Sequence, residues 1–221
     1  MSLQTEAEEN LRVIRSLMEK ATVYRAISAP SALVGGLLAA LAGGALVWPL
    51  QAAAESAPVF FAVWLGVLVV SASANAWFLR LDAARRGDQF ISPGMKMALT
   101  ALAPAYITAA FATGLAALCL DRYLIAGLYL MLPGIWCVLH GLGLLATGHF
   151  APRSIGRLGW CFLAAGLAIT GTCLANPRGF FVAGDPHRAA NAVMAVTFGG
   201  FHIIYAALTW PRKTAASVNA S

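Results

Sequence analysis

Residues 123–147 read YLIAGLYLMLPGIWCVLHGLGLLAT, a run of 25 residues without one Asp, Glu, Lys or Arg. A helix rises about 1.5 Å per residue, so about 20 mostly apolar residues cross about 30 Å of hydrocarbon. In lipid the backbone must satisfy its own hydrogen bonds, through helices or closed barrels. This run does not alternate as a barrel strand does, so it reads as a membrane-spanning helix.

Working outward from it, five further stretches qualify, at roughly 30–50, 58–80, 95–120, 155–175 and 188–210. The one formal charge well inside any of them is Lys96, a single turn into the third, where its long stem can snorkel to the interface. The chain is 60% hydrophobic and 11% charged, with a mean hydropathy of +0.74. Soluble domains run about 45–50% apolar and about 25% charged. That composition excludes a soluble enzyme fold, a disordered tail and a nucleic-acid-binding domain. The expected fold is all-α: residues 1–28 outside the lipid, a six-helix transmembrane bundle over 29–211, and a short tail, 212–221.

The net charge of +6 has a position-dependent meaning. Twelve of the fifteen Lys and Arg fall before span 1, between spans 2 and 3, between spans 4 and 5, or after span 6, whereas Arg122, Arg178 and Arg188 fall on the other side. The positive-inside rule therefore puts both termini in the cytoplasm. Residues 1–28 hold no unbroken apolar core of signal-peptide length, so the first span is expected to serve as an uncleaved insertion signal. The setting implied is a cytoplasmic membrane, most simply a bacterial inner membrane.

Residues 5–27 predict an amphipathic cytosolic helix. Thr5 and Glu8 form a capping box, and Ala7, Leu11, Ile14, Met18 and Ala21 share one face by their three- and four-residue spacing. Glu8–Arg12 and Arg15–Glu19 are i,i+4 pairs on its flanks. A helix this short needs something to rest its apolar stripe on. Leu11, Ile14, Met18 and Ala21 would lie on the membrane surface, or meet a second copy of the chain or another membrane or cytosolic protein. The segment Ile14-Arg15-Ser16-Leu17-Met18-Glu19-Lys20-Ala21-Thr22-Val23-Tyr24-Arg25-Ala26-Ile27-Ser28, running into a Gly/Ala-rich first span, resembles a group of uncharacterised bacterial multi-span inner-membrane proteins of unknown function. The resemblance covers about a fifth of the chain, implies the same membrane setting, and carries no activity or site with it.

Small residues mark where helices can approach in lipid. Gly36, Ala40 and Gly44 recur every four residues in span 1, Gly127, Gly134 and Gly141 every seven in span 4, and Ala195 and Gly199 share a face of span 6. Pro104 and Pro133 should bend spans 3 and 4. Helix 2 is expected to overrun the membrane and stop at Gly87, and Asp185-Pro186 to cap and open span 6.

Depth arithmetic supplies the candidate chemistry. His140 lies seven residues before the inner end of span 4 and His202 eight before that of span 6, so both sit roughly 10–12 Å below the inner boundary. Cys137 is one turn from His140, and Cys161 enters from the inner side to a comparable depth. Two imidazoles can ligate haem axially, and His/Cys sets bind zinc or copper. The competing reading is that each imidazole hydrogen-bonds to a neighbouring helix. Cys119 and Cys173 both lie near the outer ends of their spans and would be within disulfide reach if those helices were adjacent. No CxxC, HExxH, GxSxG or Walker-type motif occurs, and no catalytic residue is assigned. Three functions are therefore expected in turn: a non-enzymatic oligomeric or partner-binding membrane subunit or sensor, a small-solute channel or carrier helped by the Pro133-Gly134 break, and a haem- or metal-binding protein using His140 and His202.

Overall fold

A computed structural model describes residues 6–15, 28–50, 57–87, 91, 93–123, 126–148, 151–175 and 185–210. Side chains at 57, 86, 93–94, 119–123 and 126–130 fall outside that description. Every described element is helical. Residues 6–15 form a helix with all its side chains exposed. Then follow α1 (Ala29–Val47), α2 (Ala57–Arg86), α3 (Pro93–Tyr123), α4 (Ala126–Ala146) and α5 (Arg153–Ala175). The last, α6, runs Pro186–Thr209. Five helices (α1, α2, α3, α5 and α6) are long and apolar enough to cross a membrane, and α4 is apolar over its described stretch Met131–Ala146.

The ends follow local chemistry. Ser28 caps α1, its Oγ accepting from the Ser31 N–H at 3.4 Å. Gly87 closes α2 at φ +70°, a left-handed conformation that a side chain would oppose. Asp185 Oδ1 accepts from the His187 N–H at 2.9 Å, with Pro186 opening α6 behind it. Of the expected helix over 5–27, only 6–15 is described; Thr5, Met18 and Ala21 lie outside the described residues.

One feature of α6 departs from the expected regular helix: Ala195–Phe201 is wound as a π-helix. Gly199 and Gly200 lie in it, and side chains return to the looser carbonyls. Thr197 donates to Val193 O at 2.7 Å and His202 Nδ1 bonds Phe198 O at 2.8 Å.

The helices associate through two seams of small residues. Along α4 and α5 the contacts are reciprocal. A Cβ at Gly134 would stand 3.3 Å from Gly166 O, and one at Gly166 would stand 2.6 Å from Gly134 O. At the next level, a Cβ at Gly141 would stand 2.7 Å from Gly159 O and one at Gly159 would stand 3.1 Å from Gly141 O. The seven-residue stripe of α4 thus meets an equal stripe running antiparallel on α5. Along α1 and α6, a Cβ at Gly36 would lie 2.9 Å from Ile203 N, one at Gly43 2.6 Å from Ala195 Cβ, and one at Gly199 2.9 Å from Ala40 N. The expected stripe Gly36-Ala40-Gly44 needs correction. A Cβ at Gly44 would meet nothing within 4 Å, and Gly43 makes the approach instead. The contact face of α1 advances by seven residues, about two turns, from Gly36 rather than by eight. Gly127 lies among the residues whose side-chain surroundings are not described.

Around these seams α6 is central, packing on α1, α4 and α5, while α2 leans on α1 and α3 on α4. Two apolar clusters result. One gathers Phe60, Phe61 and Trp64 of α2 with Leu132 of α4 and Ala190 and Met194 of α6. The other gathers Leu144 of α4, Ile155, Leu158 and Phe162 of α5, and Tyr205 and Ala206 of α6. Early residues of α2, α4 and α6 share one cluster, and late residues of α4 and α6 share the other with early residues of α5, as expected for an up-and-down bundle. Phe198 packs against both clusters. In α3 the described buried side chains are Ala98, Thr113 and Ala116, while Leu99, Ile107, Phe111, Leu115 and Leu118 face outward, a surface suited to lipid.

Gly166→Ala should destabilise the bundle by about 1–3 kcal/mol, because the new methyl is driven into a backbone carbonyl. Gly44→Ala, with open space around it, should be neutral or stabilise by up to about 1 kcal/mol through helix propensity alone. Thermal unfolding of the two variants in detergent checks the contrast; equal melting temperatures would contradict the seam.

Candidate functional site

The depth layer inferred from the sequence is a contact in the fold. The rings of His140 on α4 and His202 on α6 stand 5.5 Å apart, centroid to centroid. Phe162 of α5 packs on both, at 4.6 Å from His140 and 5.3 Å from His202. Phe198, one turn before His202, closes the group at 5.4 Å from His140. From α3, the Tyr106 hydroxyl reaches His140 Nδ1 at 2.9 Å.

Hydrogen bonding decides much of the proton placement. The partner of His202 Nδ1 is the Phe198 carbonyl, which can only accept, so Nδ1 carries the proton and Nε2 of the neutral ring holds a lone pair. His140 has its Nδ1 engaged by Tyr106, whereas its Nε2 is buried and has no hydrogen-bond partner among the described residues. Each imidazole is thus held through Nδ1 by a neighbour, the arrangement in which histidines present Nε2 to a ligand.

The cysteines do not complete the set. Cys137 is fully buried one turn before His140, inside the apolar cluster of α4, α5 and α6. Cys161 is exposed. Adjacent helix positions are turned by about 100°, so with Phe162 facing the imidazoles Cys161 must look away. No group of three or more His, Cys, Asp or Glu side chains comes together among the described residues. The expected four-residue constellation is therefore corrected to a histidine pair with tyrosine and phenylalanine neighbours. Haem does not fit this pair. Axial ligands on opposite faces of one iron, bonded at about 2 Å, hold ring centroids about 6 Å apart with the macrocycle between them. Here the spacing is 5.5 Å, and Phe162 fills the space against both rings.

Cys173 is a buried free thiol, and the Cys119 side chain lies outside the described ones. Pro133 and Gly134 are buried, with Gly134 pressed on α5. The hydroxyls of α3 turn back on their own helix, Thr108 to Pro104 O at 2.8 Å and Thr113 to Ala109 O at 2.7 Å. α4 runs unbroken through Pro133, and the residue after it, Gly134, packs on α5. Tyr106, Phe162 and Phe198 were not legible as site residues. Phe162 adjoins the depth-matched Cys161, so the layer was identified but not the rotation.

No protein-family model matches the sequence, and comparison with curated proteins and with solved structures found no similar chain.

Tyr106→Phe should cost about 1 kcal/mol of stability by leaving His140 Nδ1 without its partner. Thr108→Val, whose hydroxyl serves only its own helix, should cost less. Thermal melts of both variants in one detergent test the difference, and a Tyr106→Phe variant as stable as the unaltered chain would remove the bond from the account.

Proposed function

We propose that the chain is a non-enzymatic integral membrane protein of six spans, with both termini in the cytoplasm. It acts as a subunit or sensor through protein contact, with residues 5–27 as the contact helix for a second copy or for another membrane or cytosolic protein. The observation that carries the reading is the helix over 6–15: every side chain is exposed, Leu11 by 66% and Ile14 by 52%. An apolar face on so short a helix is stabilised only when something covers it. The sixth span in this reading is α4, apolar over Met131–Ala146 and continued on the sequence by the uncharged residues 123–130. Orientation rests on the placement of twelve of the fifteen Lys and Arg at one end of the spans. The setting in a bacterial inner membrane accords with that charge pattern and with the N-terminal resemblance.

Two experiments test the reading. A reporter that matures only in the cytoplasm should be active when fused after Ser221 and silent when inserted within residues 176–184; the reverse pattern overturns the topology. In-membrane crosslinking and co-purification of the full chain should show an oligomer or a stoichiometric partner that deletion of residues 1–22 abolishes. Unchanged oligomeric state and unchanged partners after the deletion would end the contact-helix reading.

A further inference from the structure

We propose that the helix over residues 6–15 pairs antiparallel with the same helix of a second copy of the chain, the two lying along the membrane surface. The inference rests on the protein-contact reading and names its partner. Two observations carry it: the exposure of the helix and the order of its charges.

Every side chain of 6–15 is exposed, so no described part of the chain covers the stripe Ala7-Leu11-Ile14. At about 100° per residue these three fall within about 60° of one another. Glu8 and Arg15 lie together on one shoulder of the stripe, about 10 Å apart along the axis. The other shoulder carries Glu6 and Asn10.

That order of charges distinguishes the two ways in which the helix can meet its own copy. Antiparallel helices bring like shoulders together. A two-fold axis crossing the helix between residues 11 and 14 sets Leu11 beside Ile14 of the second copy, and Ile14 beside its Leu11. The same register sets Glu8 against Arg15 of the second copy and Arg15 against its Glu8, two ion pairs related by the axis. Parallel helices bring opposite shoulders together. Glu8 then faces a second carboxylate, Glu6, and Arg15 faces only Asn10. Charge complementarity selects the antiparallel pair. Arg15 already makes an interaction within its own chain, and the five donors of a guanidinium leave room for a second carboxylate.

Symmetry leads to the same arrangement. Two copies with their termini on one side of the membrane are related by a two-fold axis along its normal. Such an axis reverses every direction in the membrane plane and preserves directions along the normal, so an antiparallel pair lies flat on the surface. Anchoring by the spans confines both helices to one thin layer, which raises their effective concentration. Lipid is the rival cover for the stripe. Helices that rest among headgroups carry basic polar faces, and an anionic surface attracts Lys and Arg. Residues 6–15 hold three glutamates against two arginines, a balance that such a surface does not favour.

The test uses the full-length chain in its membrane, with Cys161→Ser removing an exposed thiol. Two differently tagged chains, one carrying Leu11→Cys and the other Ile14→Cys, should crosslink to each other under mild oxidation. Chains carrying Ala7→Cys should not, because an antiparallel pair holds those positions about 15 Å apart. With the Leu11/Ile14 cysteine pair in place, Glu8→Arg in both chains, or Arg15→Glu in both, should lower crosslinking about tenfold by setting like charges together. Glu8→Arg in one chain with Arg15→Glu in the other re-forms both ion pairs and should restore it. Efficient crosslinking at Ala7, no crosslink between Leu11→Cys and Ile14→Cys, or a mixed pair no better than either charge variant alone would overturn the proposal. The Ala7 result needs no charge substitution and so stands if a charge variant is poorly made. Co-purification separates this inference from the reading beneath it. A different protein lost on deletion of residues 1–22, without the Leu11–Ile14 crosslink, overturns self-pairing and leaves the contact-helix reading standing. No crosslink and no effect of the deletion ends both.

Discussion

Close approach of backbones at glycine is the constraint on which the rest of this bundle depends. In hydrocarbon an apolar side chain gains little by leaving lipid for protein, so helices associate where small residues let them touch. Gly134 with Gly166 and Gly141 with Gly159 bring α4 and α5 into carbonyl contact, and Gly36, Gly43 and Gly199 do the same for α1 and α6. These two locked pairs then meet along α6, which packs on α4 and α5 as well as α1. That meeting brings His140 against His202 and inserts Phe162 of α5 between their neighbours. A bulkier residue in either seam would move a helix by the width of a methyl group and alter the distance between the imidazoles.

Hydrogen bonds tie the remaining helices to this frame. Trp64 Nε1 of α2 donates to the buried Asn191 Oδ1 of α6 at 2.8 Å, and Trp136 Nε1 of α4 donates to Thr113 Oγ1 of α3 at 2.8 Å. Tyr106 and His140 make a second link between α3 and α4. Such bonds average below about 1 kcal/mol in membrane bundles. Their larger effect is on register, since an indole N–H buried in an apolar surround tolerates few alternative positions. Asn191 is itself held, its Nδ2 donating to His187 O at 2.9 Å, so the acceptor offered to Trp64 is oriented by its own helix.

The helices were legible in the sequence because length and apolarity suffice to define a span, and the ends at Gly87 and Asp185 because their chemistry is local. Depth was legible as well: a constant rise per residue turned position into a coordinate, and His140 and His202 proved to be neighbours. Rotation was not. An error of one residue turns a side chain through about 100°, enough to exchange Cys161 for Phe162 or Gly44 for Gly43. The opposing stripe Gly159-Gly166 carries the same spacing as Gly134-Gly141 but acquires meaning only once α4 and α5 are known to be antiparallel neighbours. The π-helical turn depends on how α6 packs, and no periodicity announces it.

The histidine layer lies where the two apolar clusters join, with Phe198 belonging to both. That position bears on why imidazoles are there at all. A buried polar group without a partner opposes folding, and an apolar ring of similar size at His140 would remove that cost while keeping the aromatic contacts. Stability therefore does not explain His140, whose buried Nε2 is unpaired among the described residues. Tyr106 satisfies the other nitrogen of the same ring, so the neighbours accommodate the imidazole without completing it. The ring is thus oriented by one hydrogen bond and by the aromatic faces of Phe162 and Phe198 packed on it.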